Sequence, residues 1–350
     1  MSALLRGLIC GLLVAAQAGL AQAQDRVEPI LALLSALPMP QGTGQMTEIA
    51  FGDPAAMRDL AAGLGPEQAG FLALARTIPV EFAQSAAMQA MAPGPSGALD
   101  FGQVDRIATI RRAQAFASVM EAPGHADTIG PALVAQFGYL IDDRLGVQVW
   151  ARGADDTRDP ASRGDPFSGN TGQPARLALR AGFLVHGSSW ALMDQALTGG
   201  AMVADDPTVV ALLESLQGSG APDGVLAAVR IYMGDGSDLT APALLVADLT
   251  DGVADTGLLA FIAPADQAAE MAETIQMRWG SDGPEHFDGS WATLFDAETP
   301  VVRVVETSAL SVVSVAAAGR HRPDTPPWQN RRASRFDELY LNGGLAALWQ

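Results

Sequence analysis

The apolar residues between Leu258 and Trp279 change period once, and that change restricts the fold more than any other stretch. Leu258–Ala263 is an unbroken apolar run of strand length. Beyond Pro264 and Asp266, residues Ala268, Met271, Ala272, Ile275 and Trp279 recur at the spacing of one helix face, with Glu270, Glu273 and Gln276 opposite. Two more apolar runs follow, Val301–Val305 and Leu310–Ala317, joined by a short polar turn.

An earlier stretch has the same order. Phe116–Ala122 is a short apolar run ending at Pro123, and residues 127–137 have helical spacing. Val147–Trp150 reads as a strand, and Arg176–Arg180 with Gly182–Gly187 reads as a hairpin. Pro264 lies 141 residues after Pro123, and Trp291 lies the same distance after Trp150. The shared offset predicts a duplicated strand–helix–strand–hairpin unit with the two Trp residues in equivalent strands. Short turns join most strands, and helices fall between hairpins. That predicts an α+β class, antiparallel sheets with packed helices, rather than a doubly wound parallel sheet.

The chain divides into a signal peptide (1–23), a helical region with one strand (24–110), a first α+β unit with a helical extension (111–217), a second unit (225–319) and an Arg/Pro-rich segment with a tail (320–350). The Gly, Ser, Pro and Asp cluster at Gly218–Gly224 marks the main boundary. Asp53-Pro54 and Pro66 open helices, since proline fits the first helical turn. Residues 84–99 read as a linker or loose helix, Asp100 as the cap of a short helix through Ile110, and residues 336–350 as a strand or short helix folding back with Trp349.

Arg6, the apolar run Leu8–Val14 and Ala21-Gln22-Ala23 form a secretory signal, so the mature chain is expected to begin at Gln24. The one cysteine, Cys10, lies inside that signal. The mature chain of about 327 residues then has neither a disulfide nor a thiolate metal site, and its cores alone must hold it. No Lys occurs, and loss of Arg6 takes the formal charge from −18 to −19. Such a balance excludes the basic footprint that nucleic acid requires. Composition and signal together lead one to expect a periplasmic or secreted protein of a GC-rich bacterium.

The sharpest catalytic candidate is Ser189, in Gly187-x-Ser189-x-Ala191 between a strand and a helix, the setting of a nucleophile elbow. Asp248 and His286 follow in the order a triad needs. Against this, Ser188 and Ser189 are ordinary helix caps. Two loops hold carboxylates suited to a hard cation: Glu285, His286 and Asp288, and the insertion carrying Asp155, Asp156, Asp159 and Asp165. Met88 and Met91 are soft ligands that also suit helix packing. Neither a P-loop nor a dinucleotide fingerprint occurs, and no cofactor is called for. Arg320, Arg322, Arg331, Arg332 and Arg335 reverse the local charge around Pro326-Pro327. They are expected to form an extended, exposed segment that docks an anionic partner. The preferred reading is an exported bacterial envelope protein that binds a partner or small ligand. The alternatives are a periplasmic serine hydrolase and a structural envelope protein.

Overall fold

Ala243–Thr250 is buried along its whole length, so both of its faces need a covering layer. The computed structural model describes residues 26–42, 45–91, 98–162, 164–169, 172–234, 243–284, 287–322 and 324–349. It places this segment in one antiparallel sheet of twelve strands. The strands are β1 (Thr47–Gly52), β2 (Arg106–Arg112), β3 (Ala115–Glu121), β4 (Leu140–Arg144), β5 (Val147–Arg152), β6 (Ala175–Arg180), β7 (Phe183–Gly187), β8 (Val225–Met233), β9 (Ala243–Thr250), β10 (Ala254–Ile262), β11 (Val301–Glu306) and β12 (Ser311–Arg320). Their order is β11-β12-β10-β9-β8-β1-β2-β3-β7-β6-β5-β4. The α+β class and the antiparallel sheet are as the sequence predicts.

The seam is the β1–β8 pair, with Ile49 opposite Ile231 and Ala50 opposite Arg230. Read outward from it, the first five strands are ordered alike on both sides: two strands follow in chain order, and after a helix the chain returns so that the last strand of a hairpin, β12 or β7, pairs with the third strand. The paths differ between helix and hairpin, where one side inserts the hairpin β4–β5 and the other a short helix. Strands β5 and β4 extend one side further. The stretch around residues 218–224 leads into β8, and the sheet runs on across it through the β1–β8 pairing.

Successive strand residues face opposite layers. Leu245, Ala247, Leu258 and Ile49 meet α1 (residues 26–34), α6 (Trp190–Thr198) and α7 (Pro207–Gly218) in one core. Leu244, Val246, Leu259 and Phe261 meet α8 (Ala268–Arg278), α9 (Trp291–Phe295) and α10 (Arg331–Leu341) on the other face. Farther along that face, Ile107, Phe116 and Leu177 pack with α4 (Val80–Met91) and α5 (Ile129–Phe137). Trp279, Trp291, Phe295 and Phe336 are fully buried. Each such side chain stabilises by about 1.5–3 kcal/mol relative to exposure. Helices α2 (Pro54–Leu60) and α3 (Pro66–Thr77) start where expected, and Asp53 accepts a hydrogen bond from Ala56 N at 2.8 Å.

Several expectations are corrected. Trp150 lies in β5, but Trp291 opens α9, so the two are not in equivalent strands. Ser290 caps α9 by accepting from Thr293 N, and Asp296 ends it in the left-handed region at φ 53°. These local signals make one helical turn where the first half has a strand. Asp100 caps only a 3-10 turn, Phe101–Gln103, and Arg106 to Ile110 belong to β2. Its run from Ile107 to Ile110 is buried between β1 and β3, where tertiary pairing overrides the capping signal. The region before residue 111 therefore supplies β1 and most of β2, both central strands. Of the two readings of residues 84–99, linker or loose helix, the helix holds as far as Met91, in Val80–Met91; the side chains of Met88 and Met91, and residues 1–25 and 92–97, lie outside the described residues. Residues beyond 336 complete α10 and a 3-10 turn, and Trp349 stacks on Phe261 at 4.3 Å.

Candidate functional site

Helix α10 overturns the expectation that residues 320–335 stand free. Pro326 and Pro327 end before it, and Asn330 caps it, its side chain accepting from Arg332 N and Ala333 N at 3.0 and 3.2 Å. Two glycines on neighbouring strands let it lie close to the sheet. A Cβ on Gly257 would come within 2.6 Å of the α10 backbone, and one on Gly319 within 2.2 Å of the Arg332 guanidinium. Arg332 is therefore drawn in and buried, while Phe336 fills the core beneath.

Under this helix lies a buried ionic network. Arg76 of α3 donates to both oxygens of Asp248, at 2.8 and 2.6 Å, and to Asp255 at 2.7 Å. Asn330 donates to Asp248 Oδ1 at 2.6 Å and to the Thr256 carbonyl at 3.0 Å. His321 bridges Asp255, 2.9 Å from Nδ1, and the Thr325 carbonyl, 3.0 Å from Nε2. Burial opposes the charge on Asp255, but Arg76 and the bond to His321 hold its carboxyl below the usual range. Burial likewise opposes the Arg76 cation; the two carboxylates outweigh it and raise its pKa above the ordinary value.

Beside the network, the end of β12 and the start of α10 open into a basin of about 970 Å³. Arg320, His321, Arg322, Arg332, Asp296 and Glu298 line it. Arg322 addresses both oxygens of Asp296, at 2.6 and 2.5 Å. Arg332 donates to the Asp296 carbonyl at 2.8 Å and to its carboxylate at 3.3 Å. The Arg322 hydrogen bonds, reinforced by its charge and that of Arg332, hold the Asp296 carboxyl below its ordinary pKa. Among the described residues, Arg320 and Arg331 form no ion pair, and Arg335 pairs with Glu338. The five arginines thus divide: Arg322, Arg332 and Arg335 pair within the chain, and Arg320 and Arg331 remain exposed to solvent.

The serine candidates fall elsewhere. Ser189 Oγ accepts from Leu192 N at 3.3 Å, and Ser188 Oγ accepts from Phe116 N at 3.0 Å. Both line a separate cavity of about 580 Å³ with Arg112 and Arg158. Asp248 is in β9, five strands from β7, or about 24 Å at the usual strand spacing. His286 lies outside the described residues. Ser189→Ala is expected to cost about 1 kcal/mol, the value of a lost N-cap. A fluorophosphonate should leave Ser189 unmodified; specific labelling there would restore the hydrolase reading.

The insertion carboxylates are held by cations and donors of their own chain, and Arg152 lies between Asp159, at 3.6 Å, and Asp165, at 3.5 Å. Asp155 pairs with Arg176 at 2.7 Å and accepts from Trp190 N. Asp165 accepts from Tyr139 Oη at 2.7 Å and from Phe167 N at 2.9 Å, and Asp159 accepts from Ala161 N at 2.9 Å. No group of His, Cys, Asp or Glu able to hold a metal occurs among the described residues. Glu285 and His286 are outside them, and Asp288 is exposed.

No family model matches the chain, and no curated protein matches its sequence. Solved structures of crystal forms III, IV and I of TP0453 are similar over most of both chains. Their TM-scores are 0.40, 0.40 and 0.36, at 8%, 7% and 7% identity. The matches cover 88%, 87% and 91% of this chain and 98%, 96% and 98% of theirs.

Sequence reasoning singled out the arginines but missed their partners. Neither Asp296 nor Arg76 stands in a motif that marks it in the sequence. A usable signal did exist: Asp248 and Asp255 interrupt the otherwise apolar strands β9 and β10. A buried carboxylate requires a cation from elsewhere in the chain.

Proposed function

We propose that this is an exported protein of the bacterial cell envelope that binds an anionic ligand in the arginine basin and makes or breaks no bond in it. One observation carries the reading: the side chains of Arg320, Arg322 and Arg332 converge where Asp296 and the exposed Glu298 are the only carboxylates lining the basin among the described residues. In a chain of formal charge −18 this is a local reversal of sign. Planar guanidinium forks suit oxyanions, which they engage through two parallel bonds. The signal-like N-terminal sequence supports export, and no helix among the described residues is long and apolar enough to cross a membrane. The two sides of the sheet are read as copies of one ancestral unit, supported by the matching order of the first five strands on either side of the β1–β8 seam.

Protein recovered from the periplasm should begin at Gln24, and a full-length cytoplasmic product would reject export. That mature protein should bind inorganic phosphate by calorimetry, more weakly as salt rises from about 0.02 M to about 0.15 M. Replacing Arg320 and Arg322 together by Gln should weaken binding at least about tenfold and leave the melting temperature nearly unchanged, because both side chains are largely exposed. Equal binding by this variant would remove the basin as the site.

A further inference from the structure

We infer that the basin is a phosphoryl site held closed by the chain's own Asp296, whose carboxylate occupies the place of the ligand's oxygens. This rests on the anion-binding reading and names both its ligand class and its control.

Geometry gives the first support. Nε and a terminal nitrogen of Arg322 reach the two Asp296 oxygens at 2.6 and 2.5 Å, the paired contact by which a guanidinium also grips phosphate. Arg332 adds a third contact from α10. Asp296 thus makes the contacts an incoming oxyanion would make. Its side chain is 35% exposed, so a ligand can reach it and push it aside. The residue ends α9 in the left-handed region, attached to a short helix rather than held within a strand.

Counting donors gives the second. A carboxylate has two oxygens, and Arg322 and Arg332 already use both. Nε of Arg332 is buried without a hydrogen-bond partner among the described residues, and Arg320 faces the same basin with no ion pair among them. A buried donor left unmade costs free energy that a better acceptor would return. A phosphate monoester brings three terminal oxygens and a charge of about −1.5 to −2, where Asp296 brings two oxygens and −1. It can therefore satisfy three guanidiniums where the carboxylate satisfies two. Exposed Glu298 on the rim repels any anion and keeps the open site from holding one indiscriminately.

Charge around the carboxylate agrees with this. Arg331, exposed at the start of α10, adds its field to those of Arg322 and Arg332 at Asp296. Three cations act on the space that one carboxylate fills, and Arg320 lines the same basin. Displacing Asp296 into water restores its own hydration, so the exchange costs little beyond the Arg322 and Arg332 contacts that the phosphate replaces.

The test uses the mature protein and Asp296→Asn, which keeps the shape and tolerates the left-handed backbone. Inorganic phosphate should bind the variant at least about tenfold tighter than wild type, about 1.4 kcal/mol of removed competition. Asp296→Gly, also at ease in that conformation, should show the same direction, which guards against a folding defect in one variant. Asp296→Asn combined with Arg322→Gln should lose the gain. Acetate should gain less than phosphate, and equal gains would overturn the phosphoryl assignment. A gain on phosphatidic acid vesicles, whose headgroup is a phosphate monoester, but not on inorganic phosphate supports the inference with a lipid headgroup as the source; a gain on phosphate alone supports it with a soluble ester. If wild type binds and neither Asp296 variant binds tighter, the closure by Asp296 is wrong and the anion-binding reading stands. If no protein binds either probe, both fall.

Discussion

Arg76→Met should destabilise the protein by about 3–5 kcal/mol, the usual cost of removing one partner from a buried ion pair. The arginine side chain is 4% exposed and its partners Asp248 and Asp255 are 11% and 4% exposed. Removing the guanidinium leaves two carboxylates facing each other away from water, and each must then be protonated or hydrated at the expense of the packing of α10. Asn330 and His321 hold one hydrogen bond each to these carboxylates and cannot replace the lost charge. Urea unfolding measures the effect. Adding Asp248→Asn and Asp255→Asn to Arg76→Met should recover most of the loss, because no buried charge then remains uncompensated. A single-variant loss below about 1 kcal/mol would show that water reaches the cluster.

The second large effect depends on acidity. His186 is buried among Phe116 and Phe167, with centroid distances of 5.3 and 5.5 Å, and its Nδ1 lies 3.4 Å from Ser118 Oγ. Burial first, and the nearby Arg176 cation second, push its pKa from 6.5 down to about 3. The folded chain refuses a proton that the unfolded chain accepts below pH 6.5. Stability is therefore complete above the unfolded pKa and falls as the pH drops toward the folded one. The slope is about 1.4 kcal/mol per pH unit, so about 2–3 kcal/mol should be lost between pH 6.5 and about 4.5. The depressed carboxyls of Asp255 and Asp296 also lose stabilising charge in acid. Comparison with His186→Phe, which keeps an aromatic ring and cannot titrate, isolates the histidine. Urea midpoints at several pH values should show a shallower acid slope for the variant. Parallel slopes would mean that the ring is hydrated.

Local signals in the sequence set local structure. Asp53-Pro54, Pro66, Ser189 and Asp206-Pro207 each begin a helix where written, because an N-cap or an N1 proline acts on donors one to three residues away. The apolar runs become strands because both faces of the sheet are covered by helices, which leaves few polar positions to interrupt them. The α+β class was legible for the same reason: hairpin runs and helical runs differ in period over a few residues.

Tertiary structure decided the rest. The run from Arg106 to Ile110 is a strand only because β1 and β3 flank it, a pairing that no local window contains. The proline-rich approach to Arg331 did not leave the arginines free, because Gly257, distant in sequence, and Gly319 on the neighbouring strand clear space for α10. Above all, Arg322 and Arg332 find Asp296 at separations of 26 and 36 residues, and Arg76 finds Asp248 across 172. Sequence announces that a chain carries these charges. Which charge neutralises which depends on the strand order that folds β9, β10 and β12 together beneath α3 and α10, and that order is chosen by burial of the whole sheet rather than by any residue's neighbours.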